Sequence, residues 1–288
     1  MSEPPHQLRP GRVTTLSGPS VALVRVAFAL ASASLAVLSL VYVDFAPLGQ
    51  ALPAGFPWRD GWLHVCALLL LIASVGLCFS RASLPSVVVI ATYQAIWAAA
   101  STPQFLSNPL SFGAWYGFCE AMTSLTGAWI LGAVLRQSER ESQMSVAADH
   151  GVRAARVLFG LTCVFYGVSH FIYAGITADF LPSWLPARLG FAYFTGVCHC
   201  AAGVGIVLGI LPYLAATLEA IMMGLFGILV WAPSFLMHPR PEWAMPPPHQ
   251  WSELVVTVLL AASAWVVAAS LQPNFRLKMD AAARLGYL

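Results

Sequence analysis

The sequence predicts an all-α, polytopic membrane protein of about eight transmembrane helices, arranged as two parallel-repeat four-helix bundles. Three observations lead there. Of the 288 residues, 59% are hydrophobic and only 9% charged, against roughly 25% charged in a soluble domain, so lipid must solvate most of the chain. Apolar segments recur between Pro, Gly and charged residues; in lipid their backbone groups must bond internally, which selects helices, and the alternation of a barrel is absent. Finally, the two halves share an ordered series of landmarks.

The predicted spans are residues 21–43, 62–79, 84–100, 112–135, 154–173, 189–211, 213–231 and 251–271. Each is long enough, alone or with its flanks, to cross about 30 Å of hydrocarbon. A Pro/Gly/Ser-rich tail, 1–20, precedes the first span, which reads as retained rather than as a signal peptide. Residues 21–136 form the first membrane unit, 137–152 a polar linker, 153–271 the second unit and 272–288 a C-terminal tail.

With the N-terminus in the cytoplasm, eleven of the fourteen basic residues fall on that side, leaving Arg59, Arg188 and Arg240 on the other. That positive-inside bias predicts an inner-membrane, multi-pass protein with both termini cytoplasmic. A net charge of +2 is too small and too dispersed for a nucleic-acid partner. The six cysteines lie within apolar segments rather than in outer loops, so they read as packing residues and not as a disulfide framework.

The landmarks run in order. Arg25 and Arg156 each open a span and are followed 17 residues later by Tyr42 and Tyr173. Leu52-Pro53-Ala54-Gly55-Phe56-Pro57 then matches Leu181-Pro182-Ser183-Trp184-Leu185-Pro186, and Arg59 with Gly61 matches Arg188 with Gly190. Thr102-Pro103-Gln104-Phe105-Leu106 parallels Ala232-Pro233-Ser234-Phe235-Leu236, and Trp115 and Trp129 are 14 apart, as are Trp251 and Trp265. Four spans per unit is an even number, so both units enter the membrane in one direction as a parallel repeat. The proline-rich connectors then fall on the outer side, with Trp58, Trp62 and Trp184 suited to the headgroup belt.

Ionisable residues inside a membrane are costly, which makes them functional-site hypotheses. Here they are His64, Glu120, His170, His199, Glu219 and Glu253. Helical spacing puts Cys163, Tyr166, Gly167 and Tyr173 on the face of His170. The small neighbours Gly196, Ala202 and Gly203 turn His199 towards the bundle. Glu120 shares a polar face with Tyr116, Thr123, Ser124 and Gly127.

Cys198-His199-Cys200 cannot ligate one ion on a regular helix, because residues two apart diverge by roughly 200°; no metal site is predicted. Along the membrane normal, His170, Arg188 and Glu253 lie near the outer surface, His199 is central and Glu219 is nearer the cytoplasm. One site holding all of them is therefore not expected.

The run Arg156-x-x-Phe159-Gly160 … Gly167-Val168-Ser169-His170-Phe171-x-Tyr173, with Leu181-Pro182-x-Trp184-Leu185-Pro186 and Thr195-Gly196-x-x-His199-x-x-Ala202-Gly203, resembles the DoxX-like membrane proteins. The resemblance covers the second unit, from about residue 153 to 268, and reaches the first only through the repeat, where Ser39 stands at the position of His170. It implies a four-helix membrane bundle and, from some members, a quinone- or thiol-linked redox component with a soluble or membrane redox partner. Many members carry a Glu near the place of His199. On that reading a quinone is the cofactor, and His170, Tyr173, Trp184, Arg188, His199 and Glu253 are the candidate ligand-binding residues. His199 and Glu219 form the candidate proton relay. A non-enzymatic scaffold or small-molecule permease is the alternative, and the residues by themselves leave both open.

Overall fold

A computed structural model describes residues 21–43, 55–139, 146–236 and 247–271. Both tails, Leu52 to Ala54 of the first proline connector, the middle of the linker, His238 and Arg240 lie outside the described residues. What is described is helical, with no strand among the described residues.

In chain order the helices are α1 (Val21–Tyr42), α2 (Arg59–Leu77), α3 (Ser83–Ser107), α4 (Tyr116–Glu139, led in by a 3-10 turn, Phe112–Trp115) and α5 (Val146–Ile172). There follow α6 (Ala174–Phe180), α7 (Arg188–Leu208), α8 (Pro212–Phe226), a π-helical turn (Gly227–Trp231), α9 (Ala232–Ser234) and α10 (Pro247–Ser270). Eight helical stretches are long and apolar enough to cross a membrane. The chain is a multi-pass membrane protein whose environment is a lipid bilayer. Leu30, Ile72, Ile96, Phe194, Leu218 and Ile228 accordingly stand on outward faces, where lipid takes the place of water.

Four local features depart from the sequence reading. The third span does not stop at residue 100 but continues through Pro103 to Ser107. Proline removes one helical N–H. Just before it, Ser101 Oγ donates to the Trp97 carbonyl at 2.9 Å and Thr102 Oγ1 to the Ala98 carbonyl at 3.0 Å, so side chains engage carbonyls around the break. The described parts of the polar linker are helical ends of α4 and α5 rather than free chain. α6 is an additional short helix between the His170 span and the second proline connector. Lastly, the seventh span passes Trp231 by way of the π turn and α9, where Ser234 Oγ donates to the Trp231 carbonyl at 2.7 Å.

Packing follows the chain within each half: α1 on α2, α2 on α3 and α3 on α4, then α5 on α7, α7 on α8 and α8 on α10. The halves join through α4 on α5, α1 on α10 and α4 on α10. Each half is thus an open row of four spans closed by the other, rather than a self-sufficient bundle. α4 and α10 cross at Gly127, where a Cβ would stand 2.6 Å from Ser263 Oγ, so only glycine allows the approach. Arg156 ties the start of α5 to the end of α10, donating from Nη2 to the Ser270 carbonyl at 2.7 Å and from Nε to Ser270 Oγ at 3.1 Å. A guanidinium at a helix C-terminus satisfies orphan carbonyls and opposes the negative end of the dipole.

Candidate functional site

The site is built on the contact between α5 and α7, and glycines set its closeness. A Cβ on Gly160 would lie 2.8 Å from the Gly203 carbonyl oxygen, and one on Gly167 would lie 2.7 Å from that of Gly196. Two backbones that touch at two levels hold the side chains between those levels in a narrow register. His170, three residues beyond Gly167, is thereby laid against α7.

His170 is half-buried, and its Nδ1 lies 2.9 Å from Thr195 Oγ1 and 3.3 Å from the Ala192 carbonyl. Thr195 spends its single proton on the Phe191 or Ala192 carbonyl, at 2.9 and 3.1 Å. The ring nitrogen is therefore the donor, which leaves Nε2 of a neutral imidazole as an acceptor. The His170 and His199 rings meet edge to face with centroids 5.1 Å apart.

His199 is 1% and Glu219 2% exposed, and they form a hydrogen-bonded pair, Nδ1 to Oε1, at 2.8 Å. Burial of two such groups is tolerable only with good geometry and further partners. Glu219 Oε2 finds no hydrogen-bond partner among the described residues. The buried Cys163 thiol lies within electrostatic reach of the Glu219 carboxyl. Phe226, the last residue of α8 before the π turn, covers both imidazoles, at 5.7 Å from the His170 ring and 6.2 Å from the His199 ring. Tyr166 bounds His199 on another side at 6.2 Å.

Span order predicts Glu219 at a different depth from His199, but their hydrogen bond shows that they meet. His199 lies nine residues before Leu208, the end of α7, and Glu219 seven after Pro212, the start of α8. Both are about two turns from the tight connection at 209–211, and so they are level. His170, His199 and Glu219 are one cluster.

The remaining candidates are dispersed. Tyr173 turns away from His170: its hydroxyl would lie 3.7 Å from a Cβ on Gly113, in the turn before α4. Glu253 of α10 interacts with Glu120 of α4, and Tyr116 lies among Glu120, Glu253 and Tyr173. This forms a second polar cluster, at the junction of the halves. Trp184 is 70% exposed, and Arg188, the first residue of α7, is also exposed; neither makes a described contact with the histidines. His64 is exposed on α2 and donates to the Asp60 carbonyl at 2.6 Å.

Phe226 gave no polar signal in the sequence. It lies seven residues, or two turns, beyond Glu219, and that spacing is the one cue that places it on the same face. No group of three or more His, Cys, Asp or Glu side chains suited to a metal ion occurs among the described residues. No family model, curated protein or solved structure matches the chain.

Proposed function

We propose that this is a DoxX-like, quinone- or thiol-linked redox component of the inner membrane, with both termini cytoplasmic, and that His170, His199 and Glu219 form its proton-handling site. One observation carries the reading: a buried imidazole–carboxylate pair continued by a second imidazole, inside a bundle where such groups are expensive. Reducing a quinone takes two electrons and two protons. Here His170, the more accessible ring, would take a proton at Nε2 by way of Glu219 and His199 and donate it to a head-group carbonyl. Electrons would come from a soluble or membrane partner. Trp184 and Arg188 then belong to the exposed surface, and Tyr173 and Glu253 to the polar cluster at the junction of the halves, rather than to the head group.

The duplication belongs to the same proposal. Exchanging α1 for α5, α2 for α7, α3 for α8 and α4 for α10 turns each pairing described above among these eight helices into an observed one, that of α4 with α10 into itself. Gly127 and Ser263, which meet where α4 crosses α10, each lie twelve residues after a landmark tryptophan, Trp115 and Trp251. Both facts support a two-fold relation between two copies of one four-span unit.

The test is native mass spectrometry of the detergent-purified protein, before and after addition of decylubiquinone. Retention by the wild type, lost in His170→Ala, is the expected result. Absence of bound quinone in both samples overturns the quinone reading. The Glu120–Glu253 pair, one carboxyl from each half, favours a second reading as a small-molecule permease. In that case His170→Ala would alter uptake into vesicles and leave electron transfer untouched.

A further inference from the structure

The cluster of His170, His199 and Glu219 lies wholly in the second half, yet one of the rings that encloses it is held by the first. Tyr166 OH lies 3.1 Å from Oγ1 of Thr123 on α4, and Thr123 Oγ1 lies 2.9 Å from Thr162 Oγ1, one turn before Tyr166 on α5. Thr123 is 1% and Tyr166 8% exposed. A hydroxyl has one proton, and that of Thr123 goes to the Cys119 carbonyl at 2.8 Å or to Thr162 Oγ1, whose own proton is given to the Phe159 carbonyl at 2.7 Å. Thr123 therefore accepts from Tyr166, and the phenol proton points at the first half. The tyrosine ring is thus fixed at both ends, by that hydrogen bond and by His199, 6.2 Å away at 57°.

The corresponding place in the other half carries no such contact. Leu35 stands ten residues after Arg25, as Tyr166 does after Arg156, and Leu259 stands eight after Trp251, as Thr123 does after Trp115. Both leucines are buried in the apolar core. Of these two matched places, the polar one is the one beside the histidines, and the other shows that an apolar pair serves packing there.

Resting on the reading of the three residues as one site, we propose that Thr123 is a positioning residue: its hydroxyl aims Tyr166 so that the His199 ring keeps one orientation, with Nδ1 on Glu219. Glu219 holds one edge of the imidazole, and Tyr166, His170 and Phe226 bound the rest. Removing the hydroxyl of Thr123 leaves a buried phenol without its acceptor, and the ring shifts to find another. His199 then gains room to rotate and present Nε2 to the carboxylate. The first half in this way completes a site that it does not carry.

The experiment needs no ligand. Full-length protein labelled with ¹⁵N-histidine is placed in nanodiscs and its imidazole nitrogens are observed by NMR, with His199 assigned by its loss in His199→Gln and exposed His64 as the internal control. Thr123→Val is expected to shift or split the His199 signals while His64 stays fixed, and Thr123→Ser, which restores the hydroxyl, to give the wild-type spectrum. Unmoved His199 signals in Thr123→Val overturn the proposal. So does a Thr123→Ser spectrum displaced as far as that of valine, because the effect would then be one of volume. If Thr123→Val does not fold, Tyr166→Phe decides: displaced His199 signals support the proposal, unchanged ones overturn it. Decylubiquinone retention is a separate measurement, so failure of the redox reading and failure of this one are distinguishable.

Discussion

Set side by side, the two halves bury different chemistry at equal distances from the starts of their helices. His199 lies eleven residues from Arg188, the first residue of α7, and Leu70 lies eleven from Arg59, the first of α2. Glu219 is seven residues from the start of α8, and Ile90 seven from the start of α3. All four are almost wholly buried. Where the second half buries an imidazole and a carboxylate, the first buries two aliphatic side chains, which cost nothing to desolvate. The position therefore does not demand polarity for packing, and the polar pair has to be explained by something other than stability.

That contrast can be broken by separating the pair. Glu219→Ala leaves His199 buried without its partner, and a loss of about 3–5 kcal/mol in unfolding free energy is expected. Chemical unfolding of the detergent-solubilised protein, followed by tryptophan fluorescence, measures it. A loss below about 1 kcal/mol would mean that water already solvates the site.

The contrast is sharpened by removing both groups together. His199→Leu with Glu219→Ile gives the second half the chemistry of the first, and this double variant should be neutral or up to about 1–4 kcal/mol more stable than wild type. If the double variant is as unstable as Glu219→Ala, the polar pair is structural and the comparison fails. The smallest effect is expected outside the cluster. Trp184→Ala and Arg188→Ala, at exposed positions, should each change stability by no more than about 0.5 kcal/mol. They should also leave decylubiquinone retention as in the wild type; a loss would return these residues to the binding surface.

Composition and charge made the spans legible, because the penalty for an unbonded backbone in lipid leaves few alternatives. Glycine spacing likewise gave the inward direction of His199. The His199–Glu219 pairing was hidden, since depth was read from span order rather than from the connection at 209–211, which sets the two residues level. Tyr173 was misplaced for another reason. Its N–H still bonds the Ser169 carbonyl at 2.8 Å in helical register, but its long side chain carries the hydroxyl to Gly113 in the turn before α4. Phe226 and the Thr123–Tyr166 bond depend on tertiary neighbours, which periodicity along one helix does not carry.

The pairing of α1 with α10 bears on how the chain reaches its final form. These are the first and last of the eight described spans, so the groove beside α1 stays open to lipid until α10 has been made. A nascent first half inserts as a row with one flank unclosed, and contacts so distant along the chain form late and slowly. The order of synthesis thereby makes the first four spans wait for the eighth, and a chain released early would expose that flank to chaperones, proteases or other chains.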